Sequence, residues 1–194
     1  MKTMIRRAGR MLATAIAIAI GVITFAVSPA QALGAGKMCM FNAPSSTTFG
    51  FNHGHVGWLI QEPGTGWWAG STELGTGDPA DTWILSTTSE ATAQGFFKNK
   101  LVANGKTQHE AGYYTRFRCH STAQSAVGAA ITKARALQGN GYTFWDNNCL
   151  TKAVAVFNAY YSAEGLAAGS YTYPNDYFEN YLPNSKNWGP IHYL

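Results

Sequence analysis

From Cys149 the chain runs Cys-Leu-Thr-Lys-Ala-Val-Ala-Val-Phe-Asn-Ala-Tyr-Tyr, and its apolar residues, Leu150, Ala153, Val154, Phe157, Tyr160 and Tyr161, recur at spacings of three and four. That period belongs to an amphipathic helix. A helix with one apolar stripe must bury it against a second layer, so the rest of the chain has to supply that layer. Asn147 and Asn148 stand just before the stretch, where an N-cap is expected. Cys149 therefore falls in the first turn, where the helix dipole and unpaired N–H groups favour a thiolate. A thiolate is the nucleophilic form of cysteine. The alternative reading is a small apolar cysteine packed beneath the helix.

The other end of the chain bears on compartment. Residues 1–10 are basic, 11–27 are apolar and rich in Ala and Ile, and Ser28-Pro-Ala-Gln-Ala32 offers an Ala-x-Ala cleavage site. This pattern is that of a secretory signal over 1–32, leaving 33–194 as one domain. A retained transmembrane anchor is the rival reading, and the cleavage site speaks against it. Lys2, Arg6, Arg7 and Arg10 all lie in this segment, so the remainder carries ten basic residues (14 − 4 = 10) against ten acidic ones. The formal charge of +4 thus belongs to the leader. Nothing in a neutral remainder suggests a nucleic-acid footprint. No second apolar run is long enough to span a membrane, and the expected product is an extracellular monomer.

Three cysteines remain, Cys39, Cys119 and Cys149. An odd number in a secreted chain leaves one thiol unpaired. The simplest arrangement joins Cys39 to Cys119 across a loop of about 80 residues. The other two pairings stay open on sequence alone, but the helix-start setting favours Cys149 as the free thiol.

Read in order, the pattern predicts a strand over 37–41 and a loop over 42–52. A hairpin of strands 53–60 and 67–73 follows, turning at Glu62-Pro-Gly-Thr-Gly66. A short strand over 83–87 and a helix capped by Ser89 come next, then a turn at Asn104-Gly105 and a strand over 112–119. Ser121 and Gln124 suggest a capping box opening a helix that ends at Gly139-Asn-Gly141. After the Cys149 helix the pattern gives a loop over 164–173, a short aromatic helix over 174–182 and an irregular tail.

A thiol nucleophile needs a base, and the base needs an orienting partner. His53 and His55 open an apolar strand, where a polar side chain needs a reason, and the glycines at 54 and 57 permit close approach by another group. His55, nearer the apolar body, is preferred to His53. A hairpin turning about Gly64 sets His55 opposite Glu73; half a residue of slip would set it opposite Leu74. Glu73 could fix the imidazole tautomer and stabilise the imidazolium, with Thr72 and Ser71 as lesser candidates. The N–H of Cys149 could serve an oxyanion, with Asn147 or Asn148 adding a donor or only capping. No short-spaced ligand set beyond His53-x-His55 suggests a metal, and no cofactor is implied.

Gly-His55-Val-Gly-Trp, a polar residue on the next strand, Gly-x-Gly-Tyr142 and Asn-Asn-Cys149 opening a helix resemble the circularly permuted NlpC/P60 superfamily of papain-like thiol hydrolases, which includes enzymes similar to lecithin:retinol acyltransferase. The resemblance covers roughly 37–161. It implies an α+β papain-like fold in which histidine precedes cysteine and a small antiparallel sheet packs on the cysteine helix. It further implies Cys149 as nucleophile, His55 as base and Glu73 as third member, acting on a peptide, cell-wall or other acyl substrate. A different class of function is a catalytically silent binding module on that scaffold. Trp67, Trp68, Trp145, Tyr171, Tyr173 and Tyr177 could then line a carbohydrate or peptide groove, although core packing would also account for most of them.

Overall fold

The computed structural model describes residues 34–47, 50–73, 78–168 and 173–194. The expected signal segment, Leu74 and Tyr171 lie outside the described residues. The fold is mixed α+β. Six antiparallel strands form one sheet in the order β4-β3-β2-β1-β7-β8. They are β1 (Gly36–Ala43), β2 (His55–Glu62), β3 (Gly66–Thr72), β4 (Thr82–Thr87), β7 (Arg116–Thr122) and β8 (His192–Tyr193). A separate two-stranded hairpin, β5 (Leu101–Ala103) and β6 (Lys106–His109), turns through Asn104 and Gly105, both at positive φ. The sequence pattern marked that turn but not its strands, which hold only three and four residues.

Alternation along the strands divides the core in two. Met38, Met40, Val56, Trp58 and Ile60 face α2 (Val127–Gln138) and α3 (Cys149–Tyr160). Cys39, Phe41, Leu59, Trp67, Ala69 and Trp83 face the other way, with Phe97 of α1 (Glu90–Lys98) and Leu101 of β5. Phe97 stacks on Phe41 with ring centroids 3.9 Å apart. Its ring fills the place a side chain at Gly57 would need, so this strand glycine admits α1.

The local helix signals are realised at one N-terminus and overridden at another. Ser89 caps α1, its hydroxyl accepting the Thr92 N–H. The expected cap at Ser121 does not form: α2 begins at Val127, and Ala126 provides no side-chain cap. β7 instead runs on through Ser121 and Thr122, which pair with Lys37 and Gly36 of β1. A ladder partner remote in sequence outweighs the local capping pattern there. Near the end, α4 (Pro174–Asp176) passes through a π turn (Tyr177–Tyr181) into α5 (Leu182–Lys186). The tail expected to be irregular then adds β8 to the sheet edge. No helix among the described residues is long and apolar enough to cross a membrane.

Cys39 and Cys119 are directly opposed on β1 and β7 and form a disulfide. Cys149 is the free cysteine.

Candidate active site

The start of α3 is fixed locally. Asn148 has extended backbone, its side-chain oxygen accepts the Thr151 N–H at 3.0 Å, and Thr151 Oγ1 accepts the Asn148 N–H at 2.9 Å. This reciprocal box leaves Cys149 as the first helical residue. The cap is Asn148 and not Asn147. Both side-chain amides are directed at backbone carbonyls: Asn148 donates to Phe144 O at 2.6 Å and Asn147 to Asn140 O at 2.9 Å. Lys152, one turn on, donates to Gly141 O at 2.6 Å and ties the preceding loop to the helix.

The base is fixed by the sheet. β2 and β3 pair Trp58 with Gly70, Ile60 with Trp68 and Glu62 with Gly66. Extending that register sets His55 opposite Glu73. The His55 ring meets two partners at Nε2, Ser71 Oγ at 3.0 Å and Glu73 Oε2 at 3.1 Å. Thr72, on the other face of the strand, bonds Thr82 instead. Glu73 is itself held by the Trp83 indole N–H at 2.7 Å, and the Tyr114 hydroxyl lies 3.0 Å from its Oε1 and 2.9 Å from Ser71 Oγ. A buried carboxylate with three donors around it is oriented as well as satisfied.

Remote residues hold the backbone at His55. Asn42, fully buried in β1, donates to His55 O at 3.2 Å and to Asn175 Oδ1 at 3.0 Å. Asn175 returns its amide to Pro44 O and its backbone N–H to His53 O, both at 3.0 Å. The Asn175 side chain occupies the space beside Gly54, which has φ +80°, so only glycine fits there. The positive φ at Gly54 interrupts the strand, and β2 starts at His55. His53, expected to open this strand, therefore lies outside it and stacks on Tyr173 with centroids 4.3 Å apart.

Cys149 and His55 meet at this end of the sheet, close enough for each to shift the charge state of the other. Since Nε2 is engaged by Ser71 and Glu73, Nδ1 is the nitrogen left for sulfur. Burial opposes charge on both groups, yet mutual attraction prevails. The His55 pKa is raised well above its ordinary value against desolvation by Cys149, Tyr113 and Glu73. The Cys149 pKa is lowered against desolvation by His55 and by the Val56 backbone N–H. That of Glu73 is lowered against desolvation by His55 and Trp83. Opposed shifts of this kind favour a thiolate–imidazolium pair.

Tyr142 completes the site. It lies beside Cys149, and burial followed by the Cys149 charge pushes its pKa up. The sequence displayed Tyr142 only as the residue after Gly-x-Gly and gave no role to Tyr114, Trp83, Asn42 or Asn175. Asn42, expected at the start of a loop, lies in β1, and its place directly after the apolar 37–41 run was the one available signal. Among the described residues no group of three or more His, Cys, Asp or Glu is placed to hold a metal ion.

Of the other histidines, His109 is buried at the end of β6, against Tyr113 and Tyr114. His120 pairs with Glu164 at 3.1 Å, and His192 stacks on Phe117. Of the groove aromatics, Trp67 and Tyr177 are core residues, Trp68 is partly buried, and Trp145 and Tyr173 are exposed. Comparison with models of known families, with curated proteins and with solved structures returns no match.

Proposed function

We propose that the chain is a secreted thiol hydrolase or acyltransferase with a permuted papain-like arrangement similar to the NlpC/P60 superfamily, its 33–194 domain released from a signal over 1–32. The observation that carries this reading is the free Cys149 at a capped helix start, coupled to a histidine whose far nitrogen is held by Glu73. The Cys149 thiolate attacks the carbonyl carbon of an amide, peptide or ester. The Cys149 N–H, in the first turn of α3, is available to the developing oxyanion. His55 gives its proton to the departing amine or alcohol, leaving a thioester. His55 then takes a proton from water or an acceptor alcohol as it attacks the thioester, and the acid or new ester leaves while the thiolate is restored. Glu73 keeps the imidazole in the tautomer that this exchange requires, with Ser71 sharing the contact.

A second reading, a silent binding module, is favoured by one observation: Cys149 is only 5 % exposed. Iodoacetamide labelling followed across pH separates the two. The hydrolase reading expects Cys149 to alkylate in the folded protein at pH 6, and His55→Ala to slow this on the order of a hundredfold as the thiol returns towards an ordinary pKa. An inert Cys149 in folded protein at every pH up to 9 would refute it.

A further inference from the structure

Among the described residues five large hydrophobic side chains are exposed: Phe51, Val102, Trp145, Tyr173 and Tyr193. Three of them belong to one cluster. The His53 ring stacks on Tyr173 at 4.3 Å and lies 5.8 Å from Phe51 and 5.4 Å from Phe144, and Phe144 meets Trp145 edge-on at 4.9 Å. The cluster is joined to both halves of the candidate site. His53 precedes His55 by two residues, and Phe144 O accepts from Asn148, the residue before Cys149. Aromatic rings gathered on a surface and left open to water mark a binding surface.

The neighbouring chemistry narrows the ligand. The loop that carries Phe144 and Trp145 also borders an open cavity of about 480 Å³ lined by Leu137, Asn140, Thr143, Asp146, Asn147, Thr151 and Lys152. Beyond Leu137 and the Asp146 carboxylate its lining is hydroxyl and amide, and its single cation is directed at Gly141 O. It has neither a cluster of cations for phosphate nor the enclosed aliphatic wall that an acyl chain would need. Flat aromatic faces beside hydroxyl and amide groups suit a ligand with one C–H face and a hydroxylated rim, which describes a neutral sugar ring. We infer that the shelf formed by Phe51, His53, Phe144, Trp145 and Tyr173 binds a neutral saccharide portion of the substrate. This deepens and rests on the hydrolase reading only for the fate of the ligand; binding itself requires no chemistry.

The test uses saturation-transfer NMR on protein carrying Cys149→Ala, with chitotetraose and maltotetraose as saccharide probes and N-acetylphenylalanine amide and decanoate as the competing chemistries. The expected result is transfer to ring C–H protons of at least one saccharide. Trp145→Ala and Tyr173→Ala should each weaken its binding roughly tenfold, while Val102→Ala leaves it unchanged. The inference is overturned if neither saccharide responds, if only the aromatic amide or decanoate does, or if binding survives both aromatic substitutions. Because no turnover is read, that failure is distinct from a failure of Cys149 to alkylate in the unsubstituted protein.

Discussion

On one face of the sheet, Met38, Met40, Val56, Trp58 and Ile60 pack against Leu150, Ala153, Val154 and Phe157, and the contact is apolar throughout. On the other, Phe41, Leu59 and Trp83 pack on Phe97 and Leu101, but the layer passes into a buried polar group of His55, Ser71, Glu73 and Tyr114. The first face positions the nucleophile through bulk packing, which tolerates exchange of one hydrophobe for another of similar volume. The second positions the base through donors and acceptors that have no substitutes, because any unpaired buried polar atom costs its full desolvation. Stability and chemistry should therefore separate when the two faces are perturbed in turn.

The largest stability loss is expected from Phe157→Ala, fully buried on the apolar face. A core truncation of this kind costs about 3–5 kcal/mol. Chemical denaturation should register that loss, while the folded fraction keeps the wild-type dependence of Cys149 alkylation on pH. An altered pH dependence would mean that the two faces are not separable.

Replacing both Cys39 and Cys119 by Ser opens a loop spanning a sequence separation of 80. The chain-entropy cost for such a loop is on the order of 4 kcal/mol, an upper bound because residual structure in the unfolded chain reduces it. The melting temperature should fall markedly, yet Cys149 should remain alkylatable in whatever stays folded. Non-reducing mass mapping would find Cys149 in a bridge if the pairing were otherwise.

Glu73→Gln tests the polar face with little change of shape. It should cost about 1–3 kcal/mol and move the loss of the His55 charge to lower pH, read by NMR titration of the imidazole, because Glu73 helps raise the His55 pKa. The pH dependence of the stability difference has a definite sign. Glu73 has a lowered folded pKa, so its contribution is present above the ordinary carboxylate range and is lost as pH falls through the folded value. His55 has a raised one, so its contribution is complete below the ordinary imidazole range and is lost as pH rises through the folded value. Wild type should exceed the variant most between those limits, and denaturation at acidic, intermediate and alkaline pH would detect the maximum.

The smallest effect is expected from Asn148→Ala. Loss of the cap should cost about 1 kcal/mol and, by releasing Phe144 O as well, loosen the loop carrying Trp145. Thermal melts read the first effect, and faster amide exchange at 143–147 reads the second.

How much of this could be read in the chain beforehand follows the same division. The apolar face was legible because helical and strand periods are local: Cys149–Tyr160 emerged from its three/four spacing, and β1 to β4 from alternation and turn residues. The hairpin register was legible from Gly64, since a two-stranded turn fixes every opposed pair that follows. Ser121 misled because its local capping signal competed with pairing to Lys37, a partner 84 positions away (121 − 37 = 84).

The sequence by itself determined an α+β domain and an odd number of cysteines after residue 32, and it pointed to a free cysteine at a helix start and a histidine–carboxylate pair on adjacent strands. Those features depend on residues near one another along the chain or joined by one tight turn. Only the tertiary structure decided that Ser71 shares Nε2 with Glu73 and that Trp83 and Tyr114 hold that carboxylate. It also decided that Tyr142 meets Cys149, and that Asn175 reaches back across the chain to Asn42 and Gly54. Each of these contacts joins segments whose separation in sequence carries no periodic signal, and each is selected by the geometry of a single hydrogen bond, which composition and spacing do not encode.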